Sequence, residues 1–240
     1  MSNQRPHLVM FHHAGGNAAS MSEFAKGFID DFNVIQLEMP GRGRRRQESL
    51  LYHADQVIED FASRIPTQGK IILLGHSLGA YIAYLMAAYC RVQSHQRQII
   101  LVAISNSPIH CRQRFSYLNS GETTHQQLLQ FAKFADQLPD WLRQDPLLLQ
   151  QFLQVLEADL NVANSINPAQ SAPLDNIPLL VIYGTNDPLL PTPPLRWQEC
   201  TRQAFHLIKL PGGHFILSQQ GPQIQKIITD FIGKQSCIEE

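Results

Sequence analysis

The sequence predicts an α/β fold in which a mostly parallel sheet is flanked by helices. The main observation is a series of short apolar runs, each separated from the next by a longer stretch. These runs are apolar almost without interruption, which is typical of strands buried on both faces of a parallel sheet. Six runs have this strand character: 7–11, 33–39, 70–75, 98–105, 178–184 and 205–210.

Helical patterns lie between the predicted strands. Residues 52–65 carry apolar side chains at helical spacing, and residues 221–233 form a last amphipathic segment. Residues 78–92 are apolar nearly all round, so this helix is expected to pack deep against the sheet. Alternation of strands and helices of this kind indicates a doubly wound sheet.

One long region interrupts the alternation. About 70 residues between the fourth and fifth predicted strands show helical stretches and no strand pattern, and a structureless loop of that length is improbable in a compact domain. We therefore predict a helical cap insertion over about 107–175. No repeat, low-complexity tract or linker marks a second domain, so we predict a single domain over residues 1–240.

Composition excludes several classes of partner and site. The formal net charge is −1, which gives the whole chain no strong bias toward nucleic acid or membrane. No segment approaches the roughly 20 apolar residues that span a bilayer, and the N-terminus has no signal-peptide pattern. The four cysteines show no C-x-x-C spacing, so we expect free thiols, no metal site and a reducing, cytoplasmic location.

A candidate nucleophile lies directly after the third predicted strand. Residues 75–79 read GHSLG, a G-x-S-x-G motif that also opens the apolar helix. This strand–turn–helix setting is that of the nucleophile elbow of the α/β-hydrolase fold. Glycines leave room for the strained turn, and the helix N-terminus favours developing negative charge. We interpret Ser77 as the nucleophile; the alternative is a glycine-rich turn without chemistry.

A base and an acid are expected later in the chain, in the order acid then histidine. His214 lies in the glycine-rich PGGHFIL segment just after the last strand, where a triad histidine belongs. Asp187 follows the fifth strand, and its alternative role is an Asx-turn before a proline. Asp159 and Asp175 are rivals that precede this strand. Asp187 would hold the histidine in the correct tautomer and stabilise the imidazolium.

An oxyanion hole needs two backbone N–H donors. One is expected from Leu78, the residue after the nucleophile. The other is expected from the loop after the first strand, HHAGG at residues 12–16, where we assign Ala14. The alternative for this loop is a plain strand–helix turn.

Four motifs together resemble the type II thioesterase family: HHAGG, MPGRGRRRQE, GHSLGA and LPGGHFIL. These enzymes accompany nonribosomal peptide and polyketide synthases, and close relatives release fatty acids from animal fatty acid synthase. The resemblance covers about residues 7–233 and includes EADL at 157–160. One departure is the second histidine in FHHAGG, where a proline or a similar residue is expected before the histidine. We expect no effect of this departure on catalysis.

The resemblance implies an acyl, aminoacyl or peptidyl thioester on the phosphopantetheine arm of a carrier protein as substrate, with no cofactor. The dense basic run of Arg42, Arg44, Arg45 and Arg46 is then a possible contact for an acidic carrier protein or for the pantetheine phosphate. The alternatives are a solvated face, or arginines fixed by carboxylates such as Glu48.

Two rival functions remain open at this point. A carboxylesterase or lipase of the same fold would act on free esters and need no carrier protein. A non-catalytic α/β-hydrolase scaffold would only bind a ligand or a protein. The presence of all three triad candidates argues against the second rival.

Overall fold

The computed structural model describes residues 5–112, 124–135, 138–190 and 192–236. All neighbouring strands in its single six-stranded sheet are parallel, in the order β2-β1-β3-β4-β5-β6. The predicted α/β class is confirmed. The strands are β1 (His7–Phe11), β2 (Asn33–Leu37), β3 (Ile71–His76), β4 (Ile99–Ile104), β5 (Leu179–Gly184) and β6 (Phe205–Leu210).

Helices connect the strands and cover the sheet. The long helix predicted over 78–92 is present, and the last predicted helix is longer than 221–233 and kinks at Gln220, two residues before Pro222. The helices are α1 (Ser22–Ala25), α2 (Ala54–Ala62), α3 (Leu78–Gln93), α4 (Thr124–Phe134), α5 (Asp140–Arg143), α6 (Pro146–Ser165) and α7 (Ile216–Ser236). Within the described ranges, no helix combines the length and apolar character needed to cross a bilayer.

Two apolar layers hold the helices to the sheet. Alternate side chains of β3 point to opposite faces, as the period of a strand requires. Ile71 and Leu73 join the core that includes α2 and α3, whereas Ile72 and Leu74 join the core that includes α1 and α7. The central helix α3 is buried over most of its surface, in agreement with its apolar sequence.

Burial on both faces was predicted for all six strands, and this is wrong for the two at the edges of the sheet. Every residue of β3 and β4 is buried, but β2 and β6 are mostly half-buried or exposed. An edge strand has a neighbour on only one side, so its polar residues reach solvent. The apolar sequences of β2 and β6 therefore predicted more burial than these two strands have.

The region between β4 and β5 contains α4, α5 and α6. Helix α6 begins at Asp145, whose carboxylate accepts hydrogen bonds from the N–H groups of Leu147 (3.0 Å) and Leu148 (3.1 Å). Buried side chains of α6 belong to the same core as α3. Residues 113–123 and 136–137 of the predicted insertion lie outside the described residues, and the division into one domain with a cap over about 107–175 stays a prediction.

Candidate active site

The candidate catalytic side chains meet at the carboxyl edge of the sheet. Ser77 follows β3, Asp187 follows β5, and His214 follows β6. In an open parallel sheet, the loops at this edge border the ligand crevice. Residues separated by more than one hundred positions in the sequence are therefore brought into one site.

The turn at Ser77 is strained and tightly packed. Ser77 has φ 56° and ψ −120°, a conformation that L-residues rarely adopt. A Cβ atom at Gly75 would lie 1.9 Å from the carbonyl oxygen of Gly79, and one at Gly79 would lie 2.1 Å from that of Phe11. Only hydrogen fits at either position, which explains both glycines of the motif. The second contact also places the start of α3 against the end of β1.

Asn106 and Trp197 support the serine, and sequence reasoning missed both. The N–H of Ser77 donates to Ile104 O (2.8 Å), and the Asn106 side-chain amide donates to Ser77 O (2.7 Å). The Trp197 indole N–H in turn donates to Asn106 O (2.8 Å). Asn106 could have been considered because it follows a buried strand at the carboxyl edge. Trp197 carried no comparable sequence pattern.

Ser77, His214 and Asp187 form a continuous hydrogen-bonded chain. His214 Nε2 lies 2.9 Å from Ser77 Oγ, and His214 Nδ1 lies 2.9 Å and 3.0 Å from the two carboxylate oxygens of Asp187. The side chains of His214 and Asp187 are 5% and 0% exposed. This geometry allows a base to take the hydroxyl proton while a buried carboxylate orients the ring.

Backbone contacts join the loops that carry the acid and the histidine. Asn186 N–H donates to Gly212 O (2.9 Å), and a Cβ atom at Gly184 would lie 2.4 Å from that same oxygen. Asp187 also accepts a hydrogen bond from Leu189 N–H (2.9 Å). The turn considered as an alternative role for Asp187 is thus present together with its bond to His214.

His76 positions the backbone of His214. Its Nε2 lies 2.8 Å from His214 O, and because a carbonyl only accepts, this nitrogen must carry the proton. Burial and the neighbouring His214 lower the pKa of His76 to about 3. The ring is therefore a neutral donor at neutral pH.

The rival acids lie elsewhere. Asp159 on α6 accepts two hydrogen bonds from Arg42 (2.6 and 2.7 Å) and one from Gly15 N–H (2.8 Å). Asp175 is exposed and pairs with Arg202 at 2.8 Å. Asp187 is the acid that contacts the histidine, so the structure favours it over both rivals.

The predicted carrier contact is wrong for Arg42 and unsupported for Arg45. The Arg42 side chain is 5% exposed, is paired with Asp159, and also donates to Gly16 O (3.2 Å). The Arg45 side chain is 11% exposed and donates to Asp60 at 2.6 and 2.8 Å. Hydrogen bonds to Asp60 and then Glu48 raise the pKa of Arg45. Both arginines are held inside the fold by carboxylates.

Arg44 remains exposed, as does Arg46. The Arg44 backbone N–H donates to Glu38 Oε2 (2.7 Å), so the turn is ordered while the side chain faces solvent. A role in docking stays a prediction for Arg44.

The expected oxyanion donors lie on two adjoining segments. Leu78 is the first residue of α3, where backbone N–H groups have no partner within the helix. Ala14 belongs to the loop after β1, next to Gly15, which has φ +75°. Their roles as donors stay predictions. Within the described ranges, no cluster of three or more histidine, cysteine or acidic side chains is arranged to hold a metal ion.

The parallel sheet, the strained serine turn and the Ser–His–Asp chain together define an α/β-hydrolase. The chain belongs to the thioesterase family, because residues 6–234 match the family model described as Thioesterase domain. It is therefore a hydrolase that acts on thioesters.

Relatives and solved structures agree with this assignment. Gramicidin S biosynthesis protein GrsT of Aneurinibacillus migulanus is 29% identical over 215 residues, which are 88% of this chain and 82% of that protein. The type II thioesterase BorB from the borrelidin biosynthetic cluster has a TM-score of 0.78 at 25% identity, covering 96% of this chain and 93% of that one. ClbQ from the colibactin pathway shares the fold, with a TM-score of 0.84 at 19% identity over 98% and 100% of the two chains.

The buried pair of Arg42 and Asp159 predicts that Asp159 contributes more to the free energy of unfolding than Asp175 does. Asp159→Asn leaves the Arg42 guanidinium buried without its counter-charge, so we expect a loss of about 3–5 kcal/mol in the free energy of unfolding. Asp175→Asn, which breaks an exposed pair, is the matched control and should lose only about 0–1 kcal/mol. Denaturant titration of both variants measures this. Equal losses would contradict the structural role assigned to Asp159.

Proposed function

We propose that this thioesterase hydrolyses acyl, aminoacyl or peptidyl thioesters carried on the phosphopantetheine arm of a carrier protein. It would thereby edit or release chains in peptide or polyketide biosynthesis. The observation that carries the proposal is the hydrogen-bonded chain from Ser77 through His214 to Asp187. The names of GrsT and BorB, which refer to gramicidin S biosynthesis and the borrelidin cluster, support the substrate class.

The geometry supports a two-step mechanism. Ser77 Oγ attacks the thioester carbonyl while His214 Nε2 takes the hydroxyl proton, and the carbonyl π electrons move to oxygen. Collapse of this intermediate breaks the C–S bond, and His214 returns its proton to the leaving thiolate. A water molecule, deprotonated by His214, then attacks the acyl-serine and releases the acid with restoration of Ser77.

Three further groups would assist both steps. The N–H groups of Leu78 and Ala14 would donate to the oxyanion, and such donors are among the largest contributions to catalysis of acyl transfer. Asp187 would stabilise the imidazolium of His214 in both steps. Each proton and electron pair is accounted for by the chain, the substrate and water.

We place this activity in the cytoplasm, as predicted from the cysteine pattern. The thiols of Cys90, Cys111 and Cys200 are free, and free thiols are characteristic of a reducing compartment.

Replacing Ser77 by alanine should abolish hydrolysis and covalent labelling by a fluorophosphonate, while far-UV circular dichroism remains that of the wild type. Ser105 provides a matched control, since it is buried, has φ 51° and follows the adjacent strand β4. Ser105→Ala should keep both activity and labelling. Persistent labelling of Ser77→Ala would identify a different nucleophile, and inactivity of the wild type would favour a scaffold.

Asp187→Asn should lower turnover on the order of 10⁴-fold, because the amide favours the wrong tautomer of the histidine. Burial of the site around His214 keeps water from replacing the carboxylate. Steady-state kinetics on an acyl-cysteamine thioester measures the effect, with Asp175→Asn as the control. A mild effect of Asp187→Asn would contradict its assignment as the triad acid.

Carrier docking can be tested at the exposed arginines Arg44 and Arg46. With an acidic carrier protein, the double alanine variant should lower kcat/KM about tenfold at low ionic strength, because charge complementarity accelerates encounter. The difference from the wild type should shrink as salt rises, since the screening length is about 10 Å at 0.1 M. Activity on acyl-cysteamine should be unchanged.

Arg202→Ala is the control for this experiment. Arg202 is exposed, but it precedes β6. It therefore lies near the amino-terminal ends of the strands, whereas the candidate active site lies at their carboxyl ends. Its replacement should leave both substrates unaffected. Equal losses on carrier-bound and free thioesters in the Arg44 and Arg46 variant would argue against docking there. A wild-type preference for short free esters would favour the carboxylesterase alternative.

A further inference from the structure

The loop after β1, residues 12–16, contains one peptide unit whose orientation matters for the reaction. This unit joins the carbonyl of His13 to the N–H of Ala14. A trans peptide is planar, and its C=O and N–H point in opposite directions. Any group that fixes the carbonyl of His13 therefore also fixes the direction of the N–H of Ala14.

Two donors hold the carbonyl of His13. Gly16 N–H donates to it at 3.1 Å and closes the turn. The second donor is the side chain of His12, whose Nδ1 lies 2.8 Å from the same oxygen. His12 is 3% exposed, so little water is available to replace this hydrogen bond if the ring is removed.

The protonation of His12 follows from its surroundings. A carbonyl oxygen only accepts, so Nδ1 must carry the ring proton. Burial, and then the positive charge of Arg42, lower the pKa of His12 to about 4. At neutral pH the ring is uncharged, and its N–H is directed at His13 O.

The rest of the loop is held by Asp159 and Arg42. Asp159 accepts from Gly15 N–H (2.8 Å), and Arg42 donates to Gly16 O (3.2 Å). These contacts fix the peptide unit between Ala14 and Gly15 and the unit between Gly16 and Asn17. The unit that carries the Ala14 N–H is contacted by the side chain of His12.

We propose that His12 is a positioning residue for thioester hydrolysis, which holds the His13 carbonyl so that the Ala14 N–H faces the developing oxyanion. The proposal rests on the function proposed above and adds to it a residue that does not touch the substrate. Its effect is exerted on the transition state, where negative charge reaches the carbonyl oxygen, and hardly on the bound ground state.

Asparagine and leucine separate the hydrogen bond from the volume of the side chain. In asparagine the amide nitrogen is bonded to Cγ, as Nδ1 is in histidine, so His12→Asn can donate from the same position. His12→Leu places a methyl group there and cannot donate. His12→Gln moves the amide nitrogen one bond further from the backbone and serves as a second non-matching variant.

His12→Leu should lower kcat on acyl-cysteamine by about 10- to 100-fold, below the full loss of an oxyanion donor, with KM changed less than twofold. The affinity for an alkyl boronate, which forms a tetrahedral adduct with the serine, should fall by the same factor. His12→Asn should restore both quantities to within about threefold of the wild type, and His12→Gln should not.

Thr201→Val is the control for a loss of stability alone. Thr201 is buried and donates to Ile177 O (2.7 Å) at the amino-terminal side of β5, away from the active site. It should lower the unfolding free energy without lowering kcat per folded molecule. If His12→Leu does not fold, the comparison of His12→Asn with His12→Gln decides.

Two results would overturn the proposal: wild-type kcat in folded His12→Leu or His12→Gln, or failure of folded His12→Asn to restore boronate affinity. Failure of the proposed function would look different. In that case the wild type itself would not hydrolyse thioesters, or Ser77→Ala would remain active, whatever residue stands at position 12.

Discussion

A close approach between two stretches of backbone shapes the candidate site, and the positions of Ser77 and of the expected oxyanion donors depend on it. The start of α3 lies so near the end of β1 that a single methyl group at Gly79 would overlap Phe11 O. This approach turns Ser77 outward at the edge of the sheet. It also brings Leu78 beside the loop that contains Ala14. One contact between main-chain segments therefore determines the positions of Ser77 and of both expected oxyanion donors.

The fold and the three central residues could be predicted because their patterns are local. Apolar runs identify the strands, and Ser77 and His214 each lie in a glycine-containing segment that follows a strand. The pairing of Arg42 with Asp159 could not be predicted, because it joins residues 117 positions apart and no periodicity encodes how α6 packs. Four adjacent basic residues suggested one exposed surface. The local sequence does not show which of these arginine side chains become buried in the folded protein.

The site also concentrates imidazole rings while keeping most of them uncharged. The rings of His13, His76 and His214 all lie 5.0–5.6 Å from the ring of Phe215. Burial lowers the pKa of His13 well below its usual value, and the neighbouring imidazoles lower it further. A second positive ring would oppose formation of the imidazolium on His214. In the proposed mechanism, the neutrality of His13 and His76 therefore leaves His214 as the group that gains charge during turnover.

Helix α6 contacts the loop that contains the expected oxyanion donor Ala14, and it also packs in the same core as α3. Its Asp159 pairs with Arg42 in the loop after β2 and accepts a hydrogen bond from the N–H of Gly15 in the loop after β1, so one buried charge pair connects α6 to both loops. Helix α6 is consequently not an interchangeable module. Replacing the helices between β4 and β5 by those of a relative, in order to change the preferred acyl chain, would succeed only if an aspartate of the new helix pairs with Arg42. A chimaera that lacks this aspartate would contain an uncompensated buried charge.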